Sequence, residues 1–325
     1  MKTVVGVLRG GPSNEYEISL MSGASVLNTL DQEKYAARDI FIDRNGNWHL
    51  HGVAVPPEKA LRGVDVAFNV LHGEYGESGE VQRILESIGM PYTGSDAFSS
   101  TLAFNKHTTK EIVEKVGVKV ARGVVVEPGA DIEATALSLF RTFPHPAIVK
   151  PLIGGSSVGM TIADSYHALF DGLQHALSVS PRVLVEEFIK GKEATVGVIE
   201  HFRNERLYAL MPVEIVPQAE HAFFTYDAKY HGGSTERCPG NFTEKEKKQL
   251  EEAAKKVHEV MGARHYSRSD FIISRRGIYF LEINSAAAVG LTGESLLPKA
   301  IRAVGSTMPG FVDHVIGLAL SGNKR

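Results

Sequence analysis

TVVGVLRGGPSNEYEISLMSGASVLNTL, residues 3–30, begins as one kind of element and ends as another. Its apolar opening, closed by two glycines, reads as a buried strand running into a tight turn. The ISLMSGASVLNTL portion reads as the helix that follows. Further along, VDVAFNVLHG (64–73) is another buried run ending in a glycine-bearing loop, and EVQRILESIG (80–89) is the next helix. Strand, helix and strand in succession predict a parallel α/β first domain that ends near PYTGS (91–95). Between these elements, ARDIFID (37–43) and NWHLHG (47–52) flank an Arg-Asn-Gly-Asn turn, the signal of a hairpin.

The 325 residues suggest two or three domains with ample core. A hydrophobic content of 43% and a charged content of 22% are those of an ordinary globular protein. The net charge of -3 predicts neither nucleic-acid nor membrane-surface binding. One cysteine, Cys238, excludes an intrachain disulfide and fits a reducing compartment. No apolar run has transmembrane length, and the opening residues are too short for a signal-peptide core. A cytoplasmic enzyme or binding protein is therefore expected.

From about Ser99 the pattern changes. LAFNKHTTKEIVEKVG (102–117) predicts one helix, ARGVVV (121–126) and PAIVKP (146–151) predict strands, and a glycine loop follows. VLVEEFI (183–189) is a further strand. Residues 218–241 show no clean period and suggest a mobile loop. TEKEKKQLEEAAKKVHEVMG (243–262) is the clearest helix in the chain. It opens with a capping box of Thr243 and Glu246 and carries an apolar stripe of Leu250, Ala253, Ala254 and Val257.

SRSDFIISRRGIYFLEIN (267–284) reads as two strands joined by a turn. Side chains alternate along a strand, so Arg268 and Asp270 share a face, as do Glu282 and Asn284. If the hairpin pairs these faces, Asp270, Glu282 and Asn284 converge as three hard oxygen donors suited to Mg²⁺ or Mn²⁺. Solvated strand ends are the alternative. KPLIGGSSVGM (150–160) places a lysine before glycines whose backbone N–H groups can turn toward phosphate, with Ser156 and Ser157 as further donors. It lacks the Lys-Ser or Lys-Thr of a P-loop, and an ordinary turn is the alternative. Glu186 and Glu193, in the acidic and apolar VEEFIKGKE segment, suit a strand meeting an adenine and ribose, or a plain edge strand. Glu15 and His72 lie at the carboxyl ends of the expected parallel strands, where α/β ligand sites form. Glu15 can hold an amine and His72 a carboxylate, or both can be solvated loop residues.

Taken in order, GGPSNEYEISLMSG, HGEYGESGEVQ, PYTGS, NKHTTK, IVKPLIGGSSVGM, VLVEEFIKGKE, YDAKY, RSD and EIN resemble the D-alanine–D-alanine ligases of the ATP-grasp superfamily. The resemblance spans nearly the whole chain. It implies an α/β architecture, α+β in the C-terminal half, with a three-domain ATP-grasp fold and a Rossmann-like N-terminal domain. The implied divisions are 1–98, 99–185 and 186–325. It also implies ATP held by Lys106, Lys150, Gly155, Ser156, Ser157, Glu186, Glu187, Ile189, Glu193 and Lys229, with two Mg²⁺ ions (or Mn²⁺) on Asp270, Glu282 and Asn284. Glu15 would bind the first D-alanine, linked through Ser156 to Tyr230 on the 218–241 loop, and His72 would join it. Arg268 and the Gly290 N–H would meet the developing oxyanion, and Ser295 the second substrate's carboxylate. A homodimer formed through the first domain is implied as well.

The departures from the family pattern are local. Ser78 stands where Asp is usual, Arg83 where Gly is usual, Asn105 where Asp is usual, and Glu187 where Lys is common. After Asn284 the family continues with a Thr-x-Pro-Gly corner, whereas SAAAVGLT follows here, about two residues longer and without proline. That leaves three readings. The first is a ligase of two D-alanines for peptidoglycan synthesis. The second is an ATP-grasp ligase with another second substrate. The third is a nucleotide-binding regulator without catalysis, against which Asp270, Glu282, Asn284, Lys150 and Arg268 all argue.

Overall fold

The computed structural model describes residues 2–154, 159–217 and 234–322. Three sheets organise these residues. The first runs in the order Val53–Val55, Trp48–Leu50, Tyr35–Ile42, Thr3–Gly10, Val66–Asn69. Its last three strands are parallel, and the 41–49 hairpin adds an antiparallel edge. The second sheet is antiparallel, in the order Gly123–Val126, Val183–Glu187, Ala147–Pro151, Thr161–Ala163. The third has seven strands, with Lys192–Glu200, Tyr266–Ser274 and Gly277–Ser285 at its centre. Parallel pairing early and antiparallel pairing later match the expected α/β class with an α+β second half.

Local chemistry explains where elements begin. Thr243 Oγ1 accepts from Glu246 N at 3.2 Å while Glu246 Oε2 accepts from Thr243 N at 2.7 Å, the reciprocal box that starts the Glu244–Val260 helix. Leu250, Ala254 and Val257 of its apolar stripe are fully buried against the seven-stranded sheet. The single helix expected over 102–117 is two, Ala97–Phe104 and Lys106–Lys115. Asn105 breaks it, at φ -94° and ψ 102°, because its side chain accepts from Thr108 N at 3.1 Å as an N-cap. Lys106 therefore opens the second helix instead of lying mid-helix.

The helices Leu296–Ala303 and Met308–Gly322 follow the hairpin, and the second of them returns to the first sheet. Phe311, Val312, Val315 and Ile316 are buried with Val5, Val7 and Phe68, so the last helix and the first strand share one core. Each such side chain contributes about 1.5–3 kcal/mol on burial. Tyr35 Oη also donates to Asp313 Oδ1 at 2.8 Å, fixing that helix to the edge of the strand. No single helix among the described residues is long and apolar enough to cross a membrane.

Candidate active site

A cavity opens where the strand ends of the hairpin face the N-terminal loops. Glu15, Glu77, Phe104, Lys106, Gly154, Glu282, Asn284, Ser285 and Ala288 contribute to its wall. The hairpin supplies the acidic side through its register, in which Asp270 lies opposite Glu282 and Arg268 opposite Asn284. Arg268 is almost fully buried and donates to both oxygens of Asp270, from Nε and Nη2 at 3.1 Å each. Asn284 Nδ2 donates to Asp270 Oδ2 at 3.0 Å, and Thr195 Oγ1 to Oδ1 at 2.5 Å. Thr195 reaches it because the adjacent strand places Thr195 opposite Asp270.

Two carboxylates and an amide oxygen, with neither thiol nor imidazole, have the chemistry of a hard divalent cation. Among the described residues no three His, Cys, Asp or Glu side chains form a complete metal cage. The donor set therefore suits a cation that takes its remaining oxygens from water and phosphate, as Mg²⁺ does at nucleotide sites.

Lys106 lines the same cavity, and two further lysines lie behind it around Glu186. Lys106 donates from Nζ to the carbonyl of Gly154, tying the start of its helix to the glycine loop. Glu186, 2% exposed, lies between Lys110 and Lys150, with Lys150 Nζ 2.5 Å from its Oε2. Burial opposes ionisation of this carboxyl, but the two ammonium groups outweigh it and hold it at about 2. Burial also lowers the Lys106 ammonium, partly offset by Glu282. Sequence reasoning assigned Glu186 to the adenine and ribose end, and the structure adds a paired-cation environment around it. Lys110 went unnoticed, although its i+4 spacing from Lys106 was a usable signal. Glu77 also went unnoticed.

Glu187 meets Arg276 at 2.6 Å, and Ile189 is buried with Ala121, Ile272 and Tyr279. Glu193 sits in the strand Lys192–Glu200, opposite both Ile215 and Ile272. Gly155, Ser156, Ser157, Lys229 and Tyr230 lie outside the described residues, together with most of the 218–241 loop.

The N-terminal loops are tied to one another. Ser13 Oγ accepts from Glu15 N at 3.1 Å and donates to the His72 carbonyl at 2.7 Å. Gly73 has φ +80°, and a Cβ there would fall 2.7 Å from that of Ser13, so only glycine allows the approach. Glu77 Oε1 accepts from Gly73 N at 2.7 Å. The buried His72 ring lies 3.1 Å from Ser22 Oγ.

The alanine run is interior except at Ala288, which lines the cavity. Ala286–Ala288 forms one 3₁₀ turn, with Ala286 and Ala287 buried and Val289 and Leu291 fully enclosed. Ser25 Oγ donates to the Leu291 carbonyl at 2.8 Å, joining this segment to the first helix. Gly290 and Ser295 are brought together, since a Cβ on Gly290 would lie 2.7 Å from Ser295 Oγ. Ser295 occupies the N-cap position of Leu296–Ala303, and its hydroxyl is 2.8 Å from Thr292 Oγ1.

Comparison with known proteins agrees over the whole length. The family profile described as D-ala D-ala ligase C-terminus matches residues 112–317, and that described as D-ala D-ala ligase N-terminus matches 4–60 and 53–95. The chain is 36% identical over 324 residues to the D-alanine–D-alanine ligase of Syntrophobacter fumaroxidans, covering 98% of each chain. It is 36% identical over 317 residues to that of Geobacter sulfurreducens, covering 97% of this chain and 93% of that one. Among solved structures it is similar to the VanG D-Ala:D-Ser ligase of Enterococcus faecalis, with TM-score 0.84, 28% identity and coverage of 98% and 100%. It is also similar to the D-alanine–D-alanine ligase of Coxiella burnetii, with TM-score 0.85, 25% identity and coverage of 99% and 95%.

Proposed function

The chain belongs to the D-alanine–D-alanine ligase family, and we propose that it joins two D-alanines at the expense of ATP for peptidoglycan precursor synthesis. The observation that carries this reading is the register of Arg268 and Asp270 against Asn284 and Glu282, the last two lining a cavity shared with Glu15 and Lys106. A carboxylate oxygen is a poor leaving group and phosphate a good one. The first D-alanine therefore attacks the γ-phosphoryl group through its carboxylate, and the second expels phosphate through its amine.

In this reading Glu15 holds the first ammonium group, with His72 close by in the linked loops. Lys106 and Lys150 receive the triphosphate, Lys229 reaches the γ-phosphate, and residues 154–160 cover it. Glu186, Glu187, Ile189 and Glu193 serve the base and ribose. Asp270, Glu282 and Asn284 would hold Mg²⁺, which when bound neutralises charge on the phosphoryl oxygens. Arg268 and the Gly290 N–H meet negative charge as it forms on the tetrahedral carbon's oxygen, and Ser295 takes the second carboxylate. Arg268 is buried and held in place by both oxygens of Asp270, so its guanidinium is fixed before the charge develops. Tyr230, together with Ser156, is assigned the preference for an amine over a hydroxyl acceptor. Three units, 1–98, 99–185 and 186–325, a homodimer and a cytoplasmic setting complete the reading.

Mass-spectrometric detection of D-alanyl-D-alanine, with ADP release, from ATP, Mg²⁺ and D-alanine tests the proposal. The 286–288 turn, which brings Ala288 to the cavity wall, favours one second reading, a ligase of the same chemistry with another acceptor. A panel of D- and L-amino and hydroxy acids separates the two. Turnover with another acceptor, and none with D-alanine alone, replaces the first reading with the second.

A further inference from the structure

Lys110, buried beside Glu186, has no role in the reading above. Lys110 lies one helical turn beyond Lys106, so the two ammonium groups share a helix face. Its side chain is 6% exposed, and it pairs with one oxygen of Glu186 while Lys150 takes the other. The Lys150 contact follows from the strands. Lys150 lies opposite Leu184, so Glu186, two residues on, is its same-face diagonal neighbour. Lys110 arrives from elsewhere, on a helix packed against Gly277–Ser285 of the seven-stranded sheet. The Lys110–Glu186 pair thus ties the four-stranded sheet to the seven-stranded one.

One buried carboxylate needs one cation, and here it has two. The second is in excess until an anion arrives. Lys150 is the one placed to leave, since it stands at the strand end directly before the glycine loop and is the more exposed of the two, 14% against 6%.

Resting on the ATP reading above, we infer that Lys110 is a positioning residue that keeps Glu186 neutralised when the triphosphate draws Lys150 away. Glu186 then neither recaptures Lys150 nor repels the nucleotide. Burial pushes the Lys110 ammonium down to about 8 against the pull of Glu186, and the charge of Lys150 pushes the same way. Handing Lys150 to a phosphate therefore strengthens the charged form of Lys110.

The test is a double-mutant cycle on the full chain, reading affinity for a non-hydrolysable ATP analogue with Mg²⁺ alongside KM for ATP and for D-alanine. Lys110→Met is expected to weaken nucleotide affinity about tenfold, on the scale of coupling between contacting charges, and to leave the KM for D-alanine in place. In the Glu186→Gln background the same substitution should cost less than about threefold, since glutamine needs no counter-ion. Lys110→Arg should retain most of the affinity. A lysine that serves only packing would weaken binding equally in both backgrounds, and that result, or no weakening in either, overturns the inference. Should Lys110→Met fail to fold, Glu186→Gln is compared with the double variant. Equal affinity supports the inference, and a tenfold gap overturns it. A wild-type chain that turns over D-alanine while failing the cycle overturns the Lys110 role alone. A wild-type chain that binds no nucleotide overturns the ATP reading and this role together.

Discussion

Glu282 and His265 show how differently two buried-site residues can be read. Period places Glu282 on one strand face with Asn284, and the folded register, shifted by one residue between Asp270 and Phe271, sets it opposite Asp270. Glu282→Gln keeps its shape and removes its charge, so the fold should stay intact by circular dichroism. ADP release should fall by at least about a hundredfold, the scale of losing one charge-stabilising group. Near-normal turnover would remove Glu282 from the metal-binding end. His265 carries no sequence signal, yet it has φ +66°, accepts Gly94 N–H on Nδ1 at 2.9 Å, and donates its backbone N–H to Glu200 Oε2 at 2.6 Å. Burial pushes its imidazole down to about 4, against the pull of Glu200 and with Arg264, His258 and His314 adding to the push. Between about pH 6.5 and 4 the unfolded chain binds a proton that the folded chain refuses. Stability from this group is thus complete above 6.5 and lost as pH falls toward 4, at a slope of at most about 1.4 kcal/mol per pH unit. His265→Asn, which tolerates the left-handed backbone, should flatten that slope in thermal melts taken from pH 7 to 4. An unchanged slope would assign the titration to another group.

At the scale of elements, the Glu244–Val260 helix was fully legible because both its start and its buried face are written within one turn's reach. Thr243→Ala removes the cap and should cost about 1 kcal/mol, seen as a lower Tm with turnover unchanged. The break at Asn105 was missed for the opposite reason. The apolar and polar spacing of 102–117 continues through it, while the cap depends on one side chain choosing the Thr108 N–H over solvent. That choice has a consequence, since it starts the Lys106–Lys115 helix at the cavity and sets Lys106 and Lys110 on one face.

Across the whole molecule, the ends of the chain meet. The last helix completes the core of the first sheet, and Ala286, Val289 and Leu291 are buried in the same cluster. Gly94 is one seam of this contact, with φ +102° and room for a Cβ only 2.7 Å from that of Ala286. Gly94→Ala combines backbone strain, about 1–3 kcal/mol, with a clash against the 3₁₀ turn. It should lower Tm and raise the KM for D-alanine, because the displaced turn leads directly to Gly290 and Ser295. A lower Tm with unchanged KM would separate the turn from acceptor binding. Ala286 is thus small because Gly94 closes on it.

The sequence by itself determined the class of the fold and the order of motifs that marks the family, whereas the register shift between Asp270 and Phe271 that sets Asp270 opposite Glu282 belongs to the folded hairpin. Class and motif order are properties of period, capping and turn chemistry, which act between residues a few positions apart. Only the tertiary structure decided the partners of buried groups. Glu186 and Lys110 are 76 residues apart, and Ser25 and Leu291 are 266 apart. No local period encodes such a choice, because a buried charge or hydroxyl takes whichever partner the closed fold carries to it, and leaving it unpaired would cost several kcal/mol.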